Sequence, residues 1–81
     1  MTLTFDDYAD VLYVDCGPMP PAGSVAVGDD EGCYLNLDGA GNVVGLQLIF
    51  AREAGRERWL THREEIPKAL FEAVDHWFTA G

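Results

Sequence analysis

The chain has 81 residues, of which 48% are hydrophobic, and it carries 14 acidic against five basic side chains, a formal net charge of −9. This length allows one domain but no second hydrophobic core, and the apolar content excludes a disordered chain. No apolar run reaches the roughly 20 residues that a membrane span needs. The excess of acid disfavours direct binding to nucleic acid or to anionic membranes, because like charges repel.

Alternation of apolar and polar residues predicts short strands through the first 50 residues, because neighbouring side chains of a strand point to opposite faces of a sheet. The predicted strands are Leu3–Asp6, Val11–Cys16, Ser24–Val27, Cys33–Leu37 and Val43–Phe50. They are separated by a polar turn at 7–10, a loop at 17–23 that is rich in proline and glycine, and an acidic turn at 28–32. The predicted inward positions are Leu12, Val14, Cys16, Cys33, Leu35, Leu37, Val44, Leu46, Leu48 and Phe50.

The segment Asp38–Asn42, with the sequence DGAGN, lies between two predicted strands. Asp, Gly and Asn provide the backbone conformations that a tight hairpin turn requires. A calcium loop of the EF-hand type, counted from Asn36, would place Ala40 at its fifth position and Gln47 at its twelfth, and neither is a carboxylate. A phosphate-binding loop needs a following helix, whereas a strand is predicted here. The segment is therefore predicted to be a turn.

After residue 51 the pattern is that of a helix preceded by a charged connection. The charged connection is predicted at residues 52–58, and a short strand or an extended entry to the helix at Glu57–Thr61. Pro67 is comfortable only in a first helical turn, which predicts a regular helix from about Ile66 and a stop at Gly81. The helix has one apolar face, formed by Ile66, Leu70, Phe71, Val74, Trp77 and Phe78.

These elements predict a two-layer α+β domain over residues 1–81, with an antiparallel sheet of four or five short strands and one C-terminal amphipathic helix packed on it. Residues 1–51 are the strand-rich part, and 52–81 contain the connection and the helix. The other sheet face would be half apolar and is a candidate homodimer surface; the alternative is ordinary scattered surface residues. It would show Val11, Tyr13, Tyr34, Asn36, Val43, Gln47 and Ile49.

Several short motifs of the strand-rich part occur together in one known family. They are Phe5–Asp6, Asp10 ahead of Leu12–Tyr13, Leu37–Asp38, Gly41–Asn42 and Gly45. In this pattern residues 2–51 resemble the small bacterial proteins grouped as domain of unknown function family 2283. The chain departs from that pattern at Gln47, where a Glu is expected, and in its longer C-terminal part, 52–81. The resemblance implies a compact strand-rich domain and no activity, since none is established for the family.

Negative charge is concentrated in the strand-rich part. Residues 1–51 contain eight acids and no Lys or Arg, whereas 52–81 contain six acids and all five bases. Such a surface attracts basic proteins and speeds their association. We therefore predict a small non-catalytic module that binds a basic protein surface; the alternative is that the charge serves solubility alone. The predicted contact residues are Asp6, Asp7, Asp10, Asp29, Asp30, Glu31, Tyr13 and Tyr34.

Two further functions are open at this point. Carboxylates spaced like phosphates would make a nucleic-acid mimic that inhibits a nucleic-acid-binding protein, as some small phage inhibitors of the anti-CRISPR type do. A small enzyme or metal-binding protein is the other, although the chain has no C-x-x-C, H-x-x-x-H or G-x-S-x-G motif. We predict no catalytic residue, no metal site and no cofactor. Asp residues in turns more often bind their own backbone than act as acids or bases.

The two cysteines and the first residues bear on the compartment. Cys16 and Cys33 both fall at predicted inward positions, which is typical of buried thiols. The first ten residues lack the basic and apolar regions of a secretory signal. Because disulfides are rare in the cytosol, free thiols and a cytoplasmic protein are the expectation.

Overall fold

The structure, a computed structural model, describes residues 1–18 and 20–80, with Asp30 described by its backbone alone. Within these residues the elements are β1 Thr2–Asp6, β2 Val11–Asp15, β3 Gly23–Val27, β4 Asp30–Leu37, β5 Val43–Ile49, α1 Ala51–Leu60 and α2 Lys68–Ala80. The described strands form one antiparallel sheet in the order β1-β2-β5-β4-β3. The predicted α+β fold is confirmed. The predicted stop at Gly81 lies outside the described residues.

The buried side of the sheet follows the predicted alternation. The register places Leu12 opposite Leu48 and Val14 opposite Leu46, and all four side chains are completely buried. Cys33, opposite Leu48 on the next strand, extends the same row and is also buried, as predicted. Since burying one large aliphatic side chain contributes roughly 1.5–3 kcal/mol, these rows form the centre of the core.

The C-terminal helix packs its apolar face on these rows. Its buried residues are Leu70, Phe71 and Val74. Trp77 is half-buried, and its ring centroid lies 4.9 Å from that of Phe5 on β1, so α2 reaches the β1 edge of the sheet. The predicted apolar face is confirmed, and the helix begins at Lys68, two residues after the predicted start at Ile66.

Residues 51–60 form a second helix, so the predicted charged connection and the predicted strand at Glu57–Thr61 are wrong. The segment lacks the apolar periodicity of an amphipathic helix, and it is interrupted at Gly55, where φ is 79° and ψ is 179°. Packing holds it in place. Trp59 is completely buried and stacks on Phe71 of α2, with ring centroids 5.0 Å apart.

Two residues with predicted inward side chains are exposed instead. Phe50 is 53% exposed and has the left-handed backbone conformation, with φ of 56°. This conformation turns the chain from β5 into α1, and the alternation of the strand therefore ends one residue earlier than predicted. Cys16 is exposed because it lies just beyond the end of β2 at Asp15.

Candidate protein-binding surface

The two acidic turns lie at the same end of the sheet, a relation that the sequence left open. Val11, which follows the first turn, pairs with Ile49 at the end of β5. The second turn joins β3 to β4 at Val27 and Asp30, next to the pairing of Cys33 with Leu48. Three strand spacings of about 4.8 Å each separate the two turns, or about 14 Å.

We call residues 6–10 and 28–31 together the acidic end of the sheet. Six of the eight acids that precede Arg52 belong to it, whereas Asp15 and Asp38 lie at the opposite end. The two turns share this end because β1 and β3 run in the same direction, and each is joined by its turn to an antiparallel neighbour, β2 or β4. The two groups of acids, separated by the 18 residues 11–28 in sequence, thus lie at one end of the sheet.

The first turn is stabilised by hydrogen bonds to the side chain of its first residue, Asp6. Asp6 Oδ1 accepts hydrogen bonds from the backbone N–H groups of Tyr8 and Ala9, both at 3.1 Å, as is typical of Asp in turns. Asp7 is exposed, and Tyr8 projects into solvent with 99% of its surface accessible. Exposed tyrosines are enriched where proteins bind proteins. Sequence reasoning missed Tyr8; its place among the three acids of one turn, DDYAD, is the signal that was available.

Asp10 caps the start of α1, a role that was not predicted from the sequence. Its carboxylate accepts the N–H groups of Arg52 and Glu53 at 2.8 and 3.0 Å, and its carbonyl accepts that of Ala51 at 3.0 Å. These are the first three N–H groups of α1, which no residue within the helix can bind. Asp10 adopts the left-handed conformation to do so, with φ of 57°. Its oxygens are engaged within the chain, and it is therefore left out of the proposed contact surface.

The second turn and the start of β4 together present two carboxylates to solvent. Asp29 and Glu31 are exposed, while the Asp30 side chain lies outside the described part of the structure. Gly28 takes φ of 55° in this turn. On the helix side, Asp29 lines a concavity of about 370 Å³ together with Arg58 and Glu65. Arg58 Nη2 donates a hydrogen bond to the Ile49 carbonyl at 2.7 Å, so this cation is held by the chain itself.

Tyr13 and Tyr34 lie in the middle of the opposite sheet face, which we call the open face. The register places Gln47 between them. Tyr13 is 38% exposed and Tyr34 is half-buried. Asn36, expected to be exposed on this face, is buried, because it lies over Gly45 and accepts a hydrogen bond from Gln47 Nε2 at 3.1 Å. The two tyrosines are therefore a separate patch from the acidic end.

The segment 38–42 is a hairpin turn, as predicted. One oxygen of Asp38 accepts the backbone N–H groups of Ala40 and Asn42, both at 2.9 Å, and the other accepts the Asn42 side-chain amide at 3.1 Å. These hydrogen bonds, above all that from the Asn42 backbone, lower the pKa of Asp38. Gly41 has φ of 87°, which confirms its predicted backbone role, whereas Gly39 does not have a positive φ.

Cys16 and His62 are titratable groups outside the two acidic turns. Partial burial, followed by the charge of Asp15, raises the pKa of the Cys16 thiol, which makes it a weak nucleophile. His62 Nδ1 lies 3.7 Å from Glu65 Oε2. Among the described residues, no group of three His, Cys, Asp or Glu is placed to hold a metal ion.

In the same residues, no helix has the length and apolar character to cross a membrane.

Comparison with known proteins found no match among family models, curated proteins or solved structures. The resemblance of residues 2–51 to domain of unknown function family 2283 stays a prediction. The case for a function therefore rests on the arrangement of charge and exposed side chains described above.

Proposed function

We propose that this protein is a non-catalytic module that binds a basic surface of another protein through the acidic end of its sheet. The observation that carries the proposal is the placement of both acidic turns at one end of the sheet, in a part of the chain, residues 1–51, that has no Lys or Arg. A concentrated field of one sign steers a partner of the opposite sign and speeds association.

The cations nearest to the acidic end are engaged within the chain. The Arg52 guanidinium lies over the rings of Phe5 and Trp77, 4.9 and 5.0 Å from their centroids. Arg58 is bound to the Ile49 carbonyl. By contrast, Asp7, Asp29 and Glu31 are exposed. The contact surface that we propose consists of Asp6, Asp7, Tyr8, Asp29 and Glu31, with Asp30 between the last two.

The proposal is tested by capture of partners from a lysate of the source cell at two salt concentrations. A partner should be retained at about 0.1 M salt and released at about 1 M, because the Debye length falls from ~10 to ~3 Å. Replacing Asp7→Asn, Asp29→Asn and Glu31→Gln should abolish capture. The control changes three exposed carboxylates elsewhere, Asp15→Asn, Glu57→Gln and Glu72→Gln, and should retain the partner.

Addition of a short DNA duplex to the same capture separates a nucleic-acid mimic from other acidic binders. Release of the partner by the duplex, but not by polyglutamate of equal charge, would show that the protein occupies a nucleic-acid-binding site. A partner that binds without salt dependence and equally well to both triple variants would contradict the proposed function and direct attention to Tyr13 and Tyr34 on the open face.

A further inference from the structure

The strand β3 forms one edge of the sheet, and its side chains are open to solvent on both faces. It is last in the strand order, and four of its five residues, 23–26, are exposed. Val25 lies in register with Leu35, which pairs with the fully buried Leu46. Val25 nevertheless keeps 47% of its surface exposed. The helical layer therefore covers β3 only at its end, where Val27 is buried, and leaves Val25 uncovered.

This edge has a shift of register between Ala26 and Val27 in its pairing with β4, but residues 23–26 lack the other devices that usually protect an edge strand. Natural edges carry a charge, especially Lys, or a proline, or are covered by another element, because their unpaired backbone groups accept further strands. The sequence of β3, GSVAV, contains no charged residue and no proline. The opposite edge differs, since β1 ends in Asp6 and Phe5 lies against Trp77 of α2.

A concavity lies beside β3 on each face of the sheet. On the open face, Ser24 and Asn36 belong to the lining of one of about 240 Å³. On the helix side, Asp29 and Glu65 belong to the lining of one of about 370 Å³. Side chains of an added strand would alternate between the two faces, so one opposite Ser24 and one opposite Val27 would lie beside the two concavities.

We propose that β3 accepts an extended segment of the partner protein as a sixth strand, with an apolar side chain against Val25 and a basic side chain beside Asp29. This inference rests on the proposed function and names how the basic partner is held. Backbone hydrogen bonds supply affinity in this mode of binding, and side-chain pockets supply specificity. A second copy of the chain is the weaker occupant, because it brings another net charge of −9 to the acidic turn.

The test compares two short synthetic peptides of equal charge. One alternates valine and threonine and ends in two arginines; the other has the same arginines but proline at alternate positions, which prevents strand pairing. Attraction to the acidic end alone predicts equal affinity. Strand addition predicts that the first peptide binds roughly tenfold more tightly or better, and that it slows hydrogen exchange of backbone amides in β3 but not in β1.

For the variant Val25→Glu, electrostatic attraction and strand addition predict opposite changes in the affinity for the first peptide. Added negative charge strengthens a purely electrostatic complex with the arginine peptide, whereas strand addition loses its apolar contact and weakens by several-fold. Because Val25 is half-exposed, the variant should fold, which its circular dichroism and melting curve verify. Equal affinity of the two peptides overturns strand addition while leaving the acidic-end proposal intact. Concentration-dependent protection of β3 without peptide also overturns it, because the occupant is then a second copy.

Discussion

Gly45 lies where the backbones of β2 and β5 approach too closely for any side chain. A Cβ atom at this position would lie 2.5 Å from the Val14 carbonyl oxygen and 3.3 Å from Asn36 Nδ2. The missing side chain leaves the space that Asn36 fills from the neighbouring strand, opposite Gly45 in the register. This explains why a polar residue is buried on the open face, and why its amide is bonded to Gln47.

We predict that Gly45→Ala destabilises the fold, because the backbone has to shift to admit the methyl group. Overpacking of this kind costs about 1–3 kcal/mol, which lowers the melting temperature of a small domain by ~4–8 °C per kcal/mol. Gly39→Ala is the matched control, since a Cβ there meets nothing within 4 Å. Thermal unfolding of the two variants checks the prediction, and equal melting temperatures would refute the close approach.

Asp38 gives the hairpin turn a dependence on pH. Hydrogen bonds from Asn42 and Ala40 lower the pKa of this carboxyl in the folded protein, so its stabilising contribution is complete above the unfolded pKa of about 3.9. It is lost as the pH falls through the lowered, folded pKa. Asp38→Ala should therefore melt below the parent at neutral pH, and the gap should close in strong acid. An unchanged gap across this range would show that the carboxylate charge is not what stabilises the turn.

At the scale of elements, α1 depends on a residue that is 41 positions distant in sequence from its start. We predict that Asp10→Ala costs about 0.5–2 kcal/mol, as expected for loss of a helix cap. Asp10→Asn keeps one acceptor oxygen and tolerates the left-handed conformation, so it should cost clearly less. Urea unfolding measures both values. Equal stability of the parent and Asp10→Ala would show that the N–H groups of Arg52 and Glu53 do not need this carboxylate.

The helix α2 should contribute most through its centre. Leu70 is 3% exposed, and Leu70→Ala should cost ~2–5 kcal/mol, a large share of a small domain's stability. Lys68→Ala on the solvent side is the control; its 3.8 Å pair with Glu72 is exposed and contributes little. A Leu70→Ala variant that melts within a few degrees of the parent would contradict the packing of α2 on the sheet.

The sequence predicts an element correctly where nearby residues determine its structure, and fails where contacts between distant residues do. The alternation around Leu12, Val14, Leu46 and Leu48 and the turn residues Asp38 and Gly41 are local signals, and those strands and that turn are confirmed. The helix α1 is stabilised by Asp10 and by Trp59 stacking on Phe71. Such contacts exist only after the chain has folded, and for this reason the pattern of residues 52–58 did not predict a helix.

The candidate surface shows the same division. The positions of the acids are read directly from the sequence. Because turns expose their side chains, Asp7, Asp29 and Glu31 were predicted to lie in solvent, and they do. The common end of the two turns follows from the strand order β1-β2-β5-β4-β3, which no local pattern contains. The role of Asp10 depends on the same order, because β2 and β5 are neighbours and bring the first turn to the start of α1.

At the scale of the whole molecule, a concentrated acidic end opposes folding through the mutual repulsion of its carboxylates. The variant Asp7→Asn, Asp29→Asn, Glu31→Gln should therefore melt above the parent at low salt. The difference should shrink at about 1 M salt, where charges are screened beyond ~3 Å. A variant that gains stability while it loses binding would indicate a surface kept for its partner. A lower melting temperature at low salt would show instead that these acids stabilise the fold.

If the acidic end is the contact surface, residue-resolved nuclear magnetic resonance should locate a bound basic peptide there. A short oligo-arginine peptide is titrated into the isotopically labelled protein at low salt, and the backbone amide shifts are followed. We predict shifts that are grouped at residues 6–10 and 28–31, absent at 38–42 and reversed by salt. Shifts spread evenly over all exposed carboxylates, or centred on Tyr13, Gln47 and Tyr34 of the open face, would contradict it.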